Sequence, residues 1–292
     1  MLNWKVLATY MLCIQGVFTQ NSVPNPDFEN TNGTFCGILS SSDYGTTVSN
    51  WSSPTAGSPD LFFTNNDQTC WNFQPNSTYP GPIGLKGPQL PRSGNVMSGI
   101  FLYTIPSFEQ REYIQVQLTS PLVVGGKYVV ECYVSLADYT ESATDRLGMY
   151  LSTSPVWSGS DNVLNYTPQV MADGVISNTQ DWVRVVDTLI VSEAYSYLTI
   201  GNFSSDALTT TVTNPTGSGQ PGTYGSYYFI DDVRIERVLG TSGIEEFNLS
   251  TPERSVVKII DLMGRETTYK ANTPLILIYS DGTRERVLTL EN

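Results

Sequence analysis

The chain contains no histidine. Histidine is the usual general base for serine and cysteine nucleophiles, and it is a common ligand of zinc and non-haem iron. Its absence therefore excludes histidine-dependent hydrolases and the metal sites that are built on imidazole. Hydrolysis by a pair of carboxylates needs no histidine, so this absence does not exclude it.

Basic residues are scarce as well. The 292 residues include 15 Lys and Arg against 28 Asp and Glu, which gives a formal net charge of −13. A surface of this sign repels phosphate backbones, so the composition predicts no nucleic-acid partner. The same surface is compatible with neutral polymers and with divalent cations.

Long apolar runs are missing beyond the N-terminus, and this predicts no transmembrane anchor. Residues 1–19 have the form of a signal peptide. Lys5 supplies a positive start, Val6 to Val17 is an almost uncharged apolar run, and small or polar residues follow from Thr19. The alternative is a buried N-terminal strand or helix. We favour the signal peptide, which predicts a secreted protein.

Three of the four cysteines lie beyond this signal. Cys132 falls in Tyr128 to Val134, a strand pattern whose alternate residues share one face, and a buried thiol is the simplest interpretation. Cys36 and Cys70 lie in loop-like sequence rich in Asn, Ser and Gly. In an oxidising compartment we expect these two cysteines to form a disulfide. A metal site made of two cysteines without histidine is less favoured.

Helical patterns are almost absent, and clear period-two strand patterns separated by turn-rich spacers begin after Glu109. They predict an all-β fold, an antiparallel jelly-roll β-sandwich over residues 20–238. Within it, residues 30–95 are predicted to form a long loop region with short strands. A linker is predicted at 239–252, and a small C-terminal β domain with three strands at 253–292.

One carboxylate falls inside a strand pattern. In residues 227–235 the alternation places Asp231 on the same face as Phe229 and Val233. If that face is the core, the charge needs a partner, because an unpaired buried carboxylate costs several kcal/mol. Arginine could compensate it, and so could Ca²⁺ with a second carboxylate from Glu29 near the chain start. The alternative is that this Asp-Asp pair only hydrogen-bonds loop amides.

The two ends of the sandwich sequence resemble a known family. Asn25 to Glu29 (NPDFE) and Tyr228 to Val233 (YFIDDV) resemble the bracketing motifs of jelly-roll carbohydrate-binding modules, which are also called galactose-binding-like domains. That resemblance implies a structural calcium ion held by the early glutamate and the late aspartate. In this sequence those residues are Glu29 and Asp231.

The sequence between these motifs resembles exported Bacteroidetes proteins, in the runs 51–62, 111–115, 135–138 and 197–203. The tail resembles a C-terminal sorting domain of the type IX secretion system, in residues 258–265 and 278–282. The resemblance of the tail implies that the type IX secretion machinery is a partner and that the chain is carried to the outer cell surface.

Glycans are held by aromatic rings that pack against sugar faces and by a few amides and carboxylates. Four aromatic residues in loop-like sequence are candidate ligand contacts: Trp71, Trp157, Tyr139 and Tyr166. Packing inside the protein is the alternative role for each of them. Sequence spacing does not show whether they meet in one place.

These patterns together predict a secreted or cell-surface, non-catalytic module that binds carbohydrate or another surface polymer. The alternative is a structural or adhesive surface protein that makes protein–protein contacts. An aromatic-lined groove with exposed amides would favour the first function, and a flat apolar patch or self-association would favour the second. A carboxylate-pair glycosidase would need two facing acids about 5 to 10 Å apart in a cleft.

Overall fold

The structure is a computed structural model, and it describes residues 17–18, 20–33, 40–63, 86–87, 89–104, 108–217, 224–239, 255–268, 270, 272–280 and 282–287. The predicted disulfide between Cys36 and Cys70 lies outside the described residues, and so does Trp71. The chain divides into two compact units, Met1–Thr241 and Ser242–Asn292.

The first unit is built almost entirely from strands. In chain order these are β1 (Val17–Phe18), β2 (Trp51–Ser52), β3 (Asp60–Phe63), β4 (Val96–Tyr103), β5 (Tyr113–Gln117), β6 (Lys127–Leu136), β7 (Ser142–Thr144), β8 (Gly148–Ser152), β9 (Val170–Met171), β10 (Val183–Ile190), β11 (Tyr197–Gly201), β12 (Thr211–Thr213) and β13 (Ser226–Leu239). A short α-helix, α1 (Ser41–Thr47), and a 3₁₀ turn at Asp206–Leu208 complete it.

Two sheets of this unit pack face to face. The six-stranded sheet has the order β10-β6-β13-β4-β3, with β1 also paired to β13, and the five-stranded sheet has the order β2-β5-β11-β8-β9. A small third sheet pairs β12 with β7. The pairings between these strands are antiparallel. The predicted all-β antiparallel sandwich is therefore confirmed.

The core between the two sheets follows the period-two pattern of the strands. Val130, Cys132 and Val134 of β6 are buried in one cluster with Ile114 and Val116 of β5. Cys132 is a free, buried cysteine, and burial raises the pKa of its thiol. This confirms the prediction of a buried thiol in β6.

The long strand β13 changes face partway along its length. Its register against β6 shifts after Asp231, and Asp232 has a positive φ of 49°. Ile230 and Val233 both belong to the sandwich core, whereas Phe229 lies in a separate cluster on the outer face of the six-stranded sheet. The prediction that Phe229 and Val233 share a face was wrong, because the extra residue of a β-bulge inverts the alternation.

The sequence prediction also missed helix α1 in the loop region 30–95. Ser40 caps this helix: its side chain accepts the N–H of Asp43, and the Asp43 side chain accepts the N–H of Ser40. The helix buries Tyr44, whose hydroxyl lies 2.8 Å from the Ser98 hydroxyl of β4. In the part of the chain that the structure describes, no helix combines the length and apolar character needed to cross a bilayer.

The second unit is a three-stranded antiparallel sheet. Its strands lie in the order β14 (Val256–Asp261), β15 (Leu275–Tyr279) and β16 (Arg284–Val287). Between β15 and β16, the N–H of Gly282 donates to the carbonyl of Tyr279 at 2.9 Å, with a φ of 84° at Gly282. A tight hairpin at this Asp-Gly position agrees with the prediction of a small β domain in the tail.

Candidate functional site

A groove of about 780 Å³ lies beside the five-stranded sheet. Ligand-binding clefts commonly measure about 300–1,000 Å³. Three segments of chain line the groove, and their side chains are Phe108, Glu109, Asn162, Val163, Asn165, Tyr166, Thr167, Pro168, Met171, Phe203, Ser204, Ser205 and Leu208. The size and the lining make this groove the strongest candidate for a ligand site among the described residues.

An aromatic stack forms part of the groove. The ring of Tyr166, which is 42% exposed, stacks on Tyr150 with 4.7 Å between centroids and 23° between planes. Tyr150 contacts Phe203 at 5.8 Å between centroids, and Phe203 contacts the buried Tyr113 at 5.2 Å. Since each ring is held by the next, Tyr166 cannot turn away without losing its stacking contact. Its exposed surface is therefore preorganised for a ligand.

Further apolar side chains at the groove are unusually exposed. Phe108 is 60% exposed, Leu208 63% and Met171 39%. Asn162 and Asn165 are exposed at the same groove and carry amide donors and acceptors. A concave surface that combines apolar contact with a few polar groups is typical of small-ligand sites.

The groove is nearly free of charge. Glu109 is the one carboxylate among the described lining residues, and none of them is Lys or Arg. The Glu109 Oε2 atom accepts the N–H of Asp206 at 2.8 Å, so one oxygen of this carboxylate is already hydrogen-bonded within the protein. A lining without basic side chains in the described part favours neutral ligands over anionic ones.

Two polar side chains of β5 fasten the segment 153–169 to the sheet. Gln115 accepts the N–H of Val156 at 2.7 Å and donates to its carbonyl at 3.3 Å. The Tyr113 hydroxyl accepts the N–H of Leu164 at 3.0 Å. Both side chains alternate with the core residues of β5, so they point to the outer face of the sheet. The groove segment is therefore positioned by residues that strand periodicity places outside the core.

Arg111 links the chain segments around the groove through hydrogen bonds. Its guanidinium group donates to the Asp206 carboxylate at 2.8 Å, to the Ser204 carbonyl at 3.1 Å and to the Gln110 carbonyl at 2.8 Å. Its backbone N–H donates to the Asp161 carbonyl at 2.7 Å. Arg111 is 1% exposed, so it acts as an internal support of the groove and not as a ligand contact.

The structure separates the four aromatic residues that were predicted as ligand contacts. Tyr166 lines the groove. Trp157 lies earlier in the same segment and is 79% exposed, but it does not line the groove. Tyr139 lies elsewhere, where its N–H donates to the Lys86 carbonyl at 3.4 Å. Trp71 is outside the described residues.

Sequence reasoning missed three aromatic residues at or beneath the groove, Phe108, Tyr150 and Phe203. Tyr150 alternates with the buried Met149 and Leu151 in β8, so the strand pattern already indicated that it points away from the core. Phe108 and Phe203 lie outside the strands, where no period determines the direction of a side chain.

The two predicted calcium ligands bind the same loop, residues 92–96. Glu29 Oε1 accepts two backbone N–H groups of this loop, each at 2.6 Å. Asp231 Oδ2 accepts two more at 2.8 and 3.2 Å, and its Oδ1 accepts the N–H of Asp232 at 2.8 Å. Burial raises the pKa of Asp231 to about 7, and the nearby Asp232 charge adds to this effect.

The chemistry of these donors fits calcium, but the pair alone does not complete a calcium site. Ca²⁺ takes about 6–8 oxygen ligands, and carboxylate oxygens are suitable donors. Among the residues that the structure describes, no three Asp, Glu, Cys or His side chains form a metal-binding group. Carbonyl oxygens or water would have to supply the remaining ligands beside Glu29 and Asp231.

No protein-family model and no curated protein matches the chain. Similar solved structures include the family-22 carbohydrate-binding and family-10 glycoside hydrolase modules of a Clostridium thermocellum xylanase complexed with xylohexaose. That structure is 13% identical, with 75% of this chain and 29% of that chain covered and a TM-score of 0.35. This chain thus spans less than a third of its length.

Two further structures are similar over most of their own length. The family-22 xylan-binding domain of a Paenibacillus barcinonensis xylanase is 12% identical, with 70% of this chain and 98% of that chain covered and a TM-score of 0.32. The K3 adhesin domain of Lys-gingipain from Porphyromonas gingivalis is 14% identical, with 73% and 96% covered and a TM-score of 0.33. Similarities this distant carry no argument about ligand or activity.

Proposed function

We propose that the chain is a secreted or cell-surface, non-catalytic module that binds a neutral glycan, or a similar uncharged surface polymer, in the groove. The observation that supports this most is the partly exposed Tyr166 ring, fixed on Tyr150, beside the exposed amides of Asn162 and Asn165. Sugar rings offer C–H faces that pack on aromatic rings and hydroxyl groups that bond to amides.

Replacing Tyr166 by alanine should weaken glycan binding about tenfold, because truncating a central aromatic contact costs about 1–2 kcal/mol. A glycan array with neutral, acidic and amino-sugar ligands would first identify the ligand. Titration calorimetry with that ligand would then compare the native chain with the Tyr166→Ala variant. We expect neutral glycans to bind and uronic-acid polymers not to bind.

Tyr139→Ala is the matched control, since Tyr139 is 38% exposed and lies away from the groove. It should leave the affinity unchanged, and equal losses in the two variants would contradict the groove as the site. A folded chain that binds no glycan would favour the adhesive function instead. One observation supports that second function: Val123, Val124 and Ile190 are 50%, 59% and 74% exposed.

We further propose that residues 1–19 direct export and that the tail is recognised by the type IX secretion machinery. The resemblance of residues 258–265 and 278–282 supports this proposal, together with the compact unit that residues 242–292 form. In a bacterium with that machinery, the full chain should reach the surface and a chain lacking 242–292 should stay in the periplasm. Surface proteolysis of intact cells would measure this, and surface delivery of the shortened chain would contradict it.

We also propose a structural calcium ion at Glu29 and Asp231. The shared loop 92–96 and the burial of the Asp231 carboxylate support it. A divalent cation would offset the cost of burying this charge, and it would hold the start of the chain, the loop and β13 together. The ion would contribute to stability and not to ligand contact, because neither carboxylate lines the groove.

A further inference from the structure

Glu109 is the residue of the groove with a strained backbone. Its φ is 54°, in the left-handed region that residues other than glycine seldom adopt. Such a conformation persists only where neighbouring contacts fix it, and residues of this kind are concentrated at functional sites. Glu109 is also the one carboxylate among the described lining residues. The strain and the charge of the groove therefore fall on the same residue.

Contacts with both other lining segments hold Glu109 in this conformation. Its carbonyl accepts the N–H of Val163 at 2.9 Å, and its side-chain Oε2 accepts the N–H of Asp206 at 2.8 Å. Val163 lies in the second lining segment, and Asp206 lies within the third, residues 203–208. Asp206 is itself fixed, because its carboxylate pairs with the buried Arg111 at 2.8 Å. The position of the Glu109 carboxylate is therefore set before a ligand binds.

These contacts leave the charge of Glu109 unused. A backbone N–H needs only one acceptor oxygen, and an uncharged glutamine would supply it as well. Within the described ranges no Lys or Arg forms an ion pair with Glu109, and Arg111 is paired with Asp206. A carboxylate has two oxygens with about four acceptor positions and no donor. Oε1 and part of Oε2 thus remain available to hydrogen-bond donors in the groove.

We propose that Glu109 determines the ligand specificity of the groove by accepting hydrogen bonds from free hydroxyl groups of a neutral sugar unit. This inference rests on the proposed glycan-binding function and narrows its ligand class. A hydrogen bond from a hydroxyl group to a carboxylate is charge-assisted and stronger than one between neutral groups. A sugar oxygen that carries a methyl or acetyl group cannot donate such a bond. A uronic acid would place a second negative charge beside Glu109, and this repulsion disfavours its binding.

The aromatic ring and the carboxylate would then select different properties of the ligand. The exposed Tyr166 ring packs against any sugar that presents an apolar face, so it contributes affinity with little selection. The amides of Asn162 and Asn165 both donate and accept hydrogen bonds, so they also tolerate several kinds of polar group. Glu109 only accepts, and it therefore distinguishes hydroxyl donors from ethers, esters and anions.

Titration calorimetry of the full chain tests this role with four probes: cellohexaose, mannohexaose, laminarihexaose and the acidic hexagalacturonate. We expect the native chain to bind at least one neutral hexaose, and the Glu109→Gln variant to bind it about ten to a hundred times more weakly. The glutamine oxygen still accepts the Asp206 N–H, so the groove keeps its shape while the charged acceptor is lost. Glu141→Gln is the matched control, at an exposed glutamate outside the groove lining, and it should bind as the native chain does.

Selectivity and stability separate a ligand contact from a structural support. Glu109→Gln should reduce the ratio between the affinities for the neutral hexaose and for hexagalacturonate, because the repulsive charge is removed together with the acceptor. A structural support would lower both affinities alike and leave their ratio unchanged. Glu109→Gly should weaken neutral binding to a similar extent without lowering the melting temperature. Glycine adopts a positive φ without strain, and this gain offsets the lost hydrogen bond to Asp206.

The results distinguish the role of Glu109 from the function on which it rests. If Tyr166→Ala weakens binding and Glu109→Gln does not, the groove remains the site and the role of Glu109 is overturned. An unchanged affinity ratio in Glu109→Gln, with a lower melting temperature in Glu109→Gly, would also overturn it, because the residue would then only support the groove. A native chain that binds none of the three neutral hexaoses would overturn the neutral-glycan function together with this inference.

Discussion

Replacing Arg111 by methionine should lower the free energy of unfolding by about 3 kcal/mol, near the lower end for breaking a buried ion pair from one side. Arg111 is 1% exposed, and its guanidinium group pairs with Asp206 at 2.8 Å. Methionine keeps most of the side-chain volume but removes the charge. The hydrogen bonds that Arg111 donates to the Asp206 carboxylate and to the carbonyls of Ser204 and Gln110 are then lost. The Asp206 side chain is 15% exposed, so water can recover part of the loss.

Urea unfolding followed by tryptophan fluorescence would measure this effect. Arg146→Met is the matched control, because Arg146 is 34% exposed and its pair with Asp145 is longer, at 3.5 Å. A partly exposed pair of this kind contributes about 0–1 kcal/mol. Similar losses in both variants would contradict the special role of Arg111. The Arg111 variant should also bind the groove ligand more weakly, since Arg111 supports the segments that line the groove.

In the presence of a chelator, the free energy of unfolding should fall as the pH rises from about 4 to 7. Burial raises the pKa of Asp231 from 3.8 to about 7. In that window the folded chain holds a proton that the unfolded chain has already released, so raising the pH removes stability. One pKa unit corresponds to about 1.4 kcal/mol of stability. The full shift therefore sets an upper bound of about 4 kcal/mol on the stability that Asp231 loses across this pH range.

Calcium should oppose this loss, because it binds the ionised carboxylate and competes with the proton. Added calcium should raise the melting temperature more at pH 8 than at pH 5. Thermal unfolding at several pH values, in calcium, magnesium or chelator, would measure both effects. Asp231→Asn should reduce the pH slope, and the buried Glu112, whose pKa burial raises to about 8, should account for part of the slope that remains. Glu29→Gln should keep the slope and weaken the calcium response. A native chain without a calcium response at pH 8 would contradict the calcium site.

Much of the architecture was determined by local sequence. The period-two patterns of β5 and β6 predicted their buried faces correctly, because successive side chains of a strand point to opposite sides of the sheet. The buried thiol of Cys132 follows from the same rule. The hairpin at Gly282 follows from turn chemistry, since a residue with positive φ is most readily glycine. In each case the sequence pattern that carries the prediction spans only a few residues.

Other features were decided by the tertiary structure. The bulge after Asp231 inverts the pattern of β13, and no local signal in the sequence indicates where an extra residue is accommodated. Tyr166 acquires its stacking partner Tyr150 only because the chain folds back across the sheet.

Arg111 meets Asp206, and Asp60 meets Tyr227, across long stretches of chain. The composition of the chain, above all its lack of histidine and its negative charge, determined by itself which chemistries are excluded. The groove and the Arg111 hydrogen bonds that support it depend on sheet register and on non-local packing, which strand periodicity does not encode.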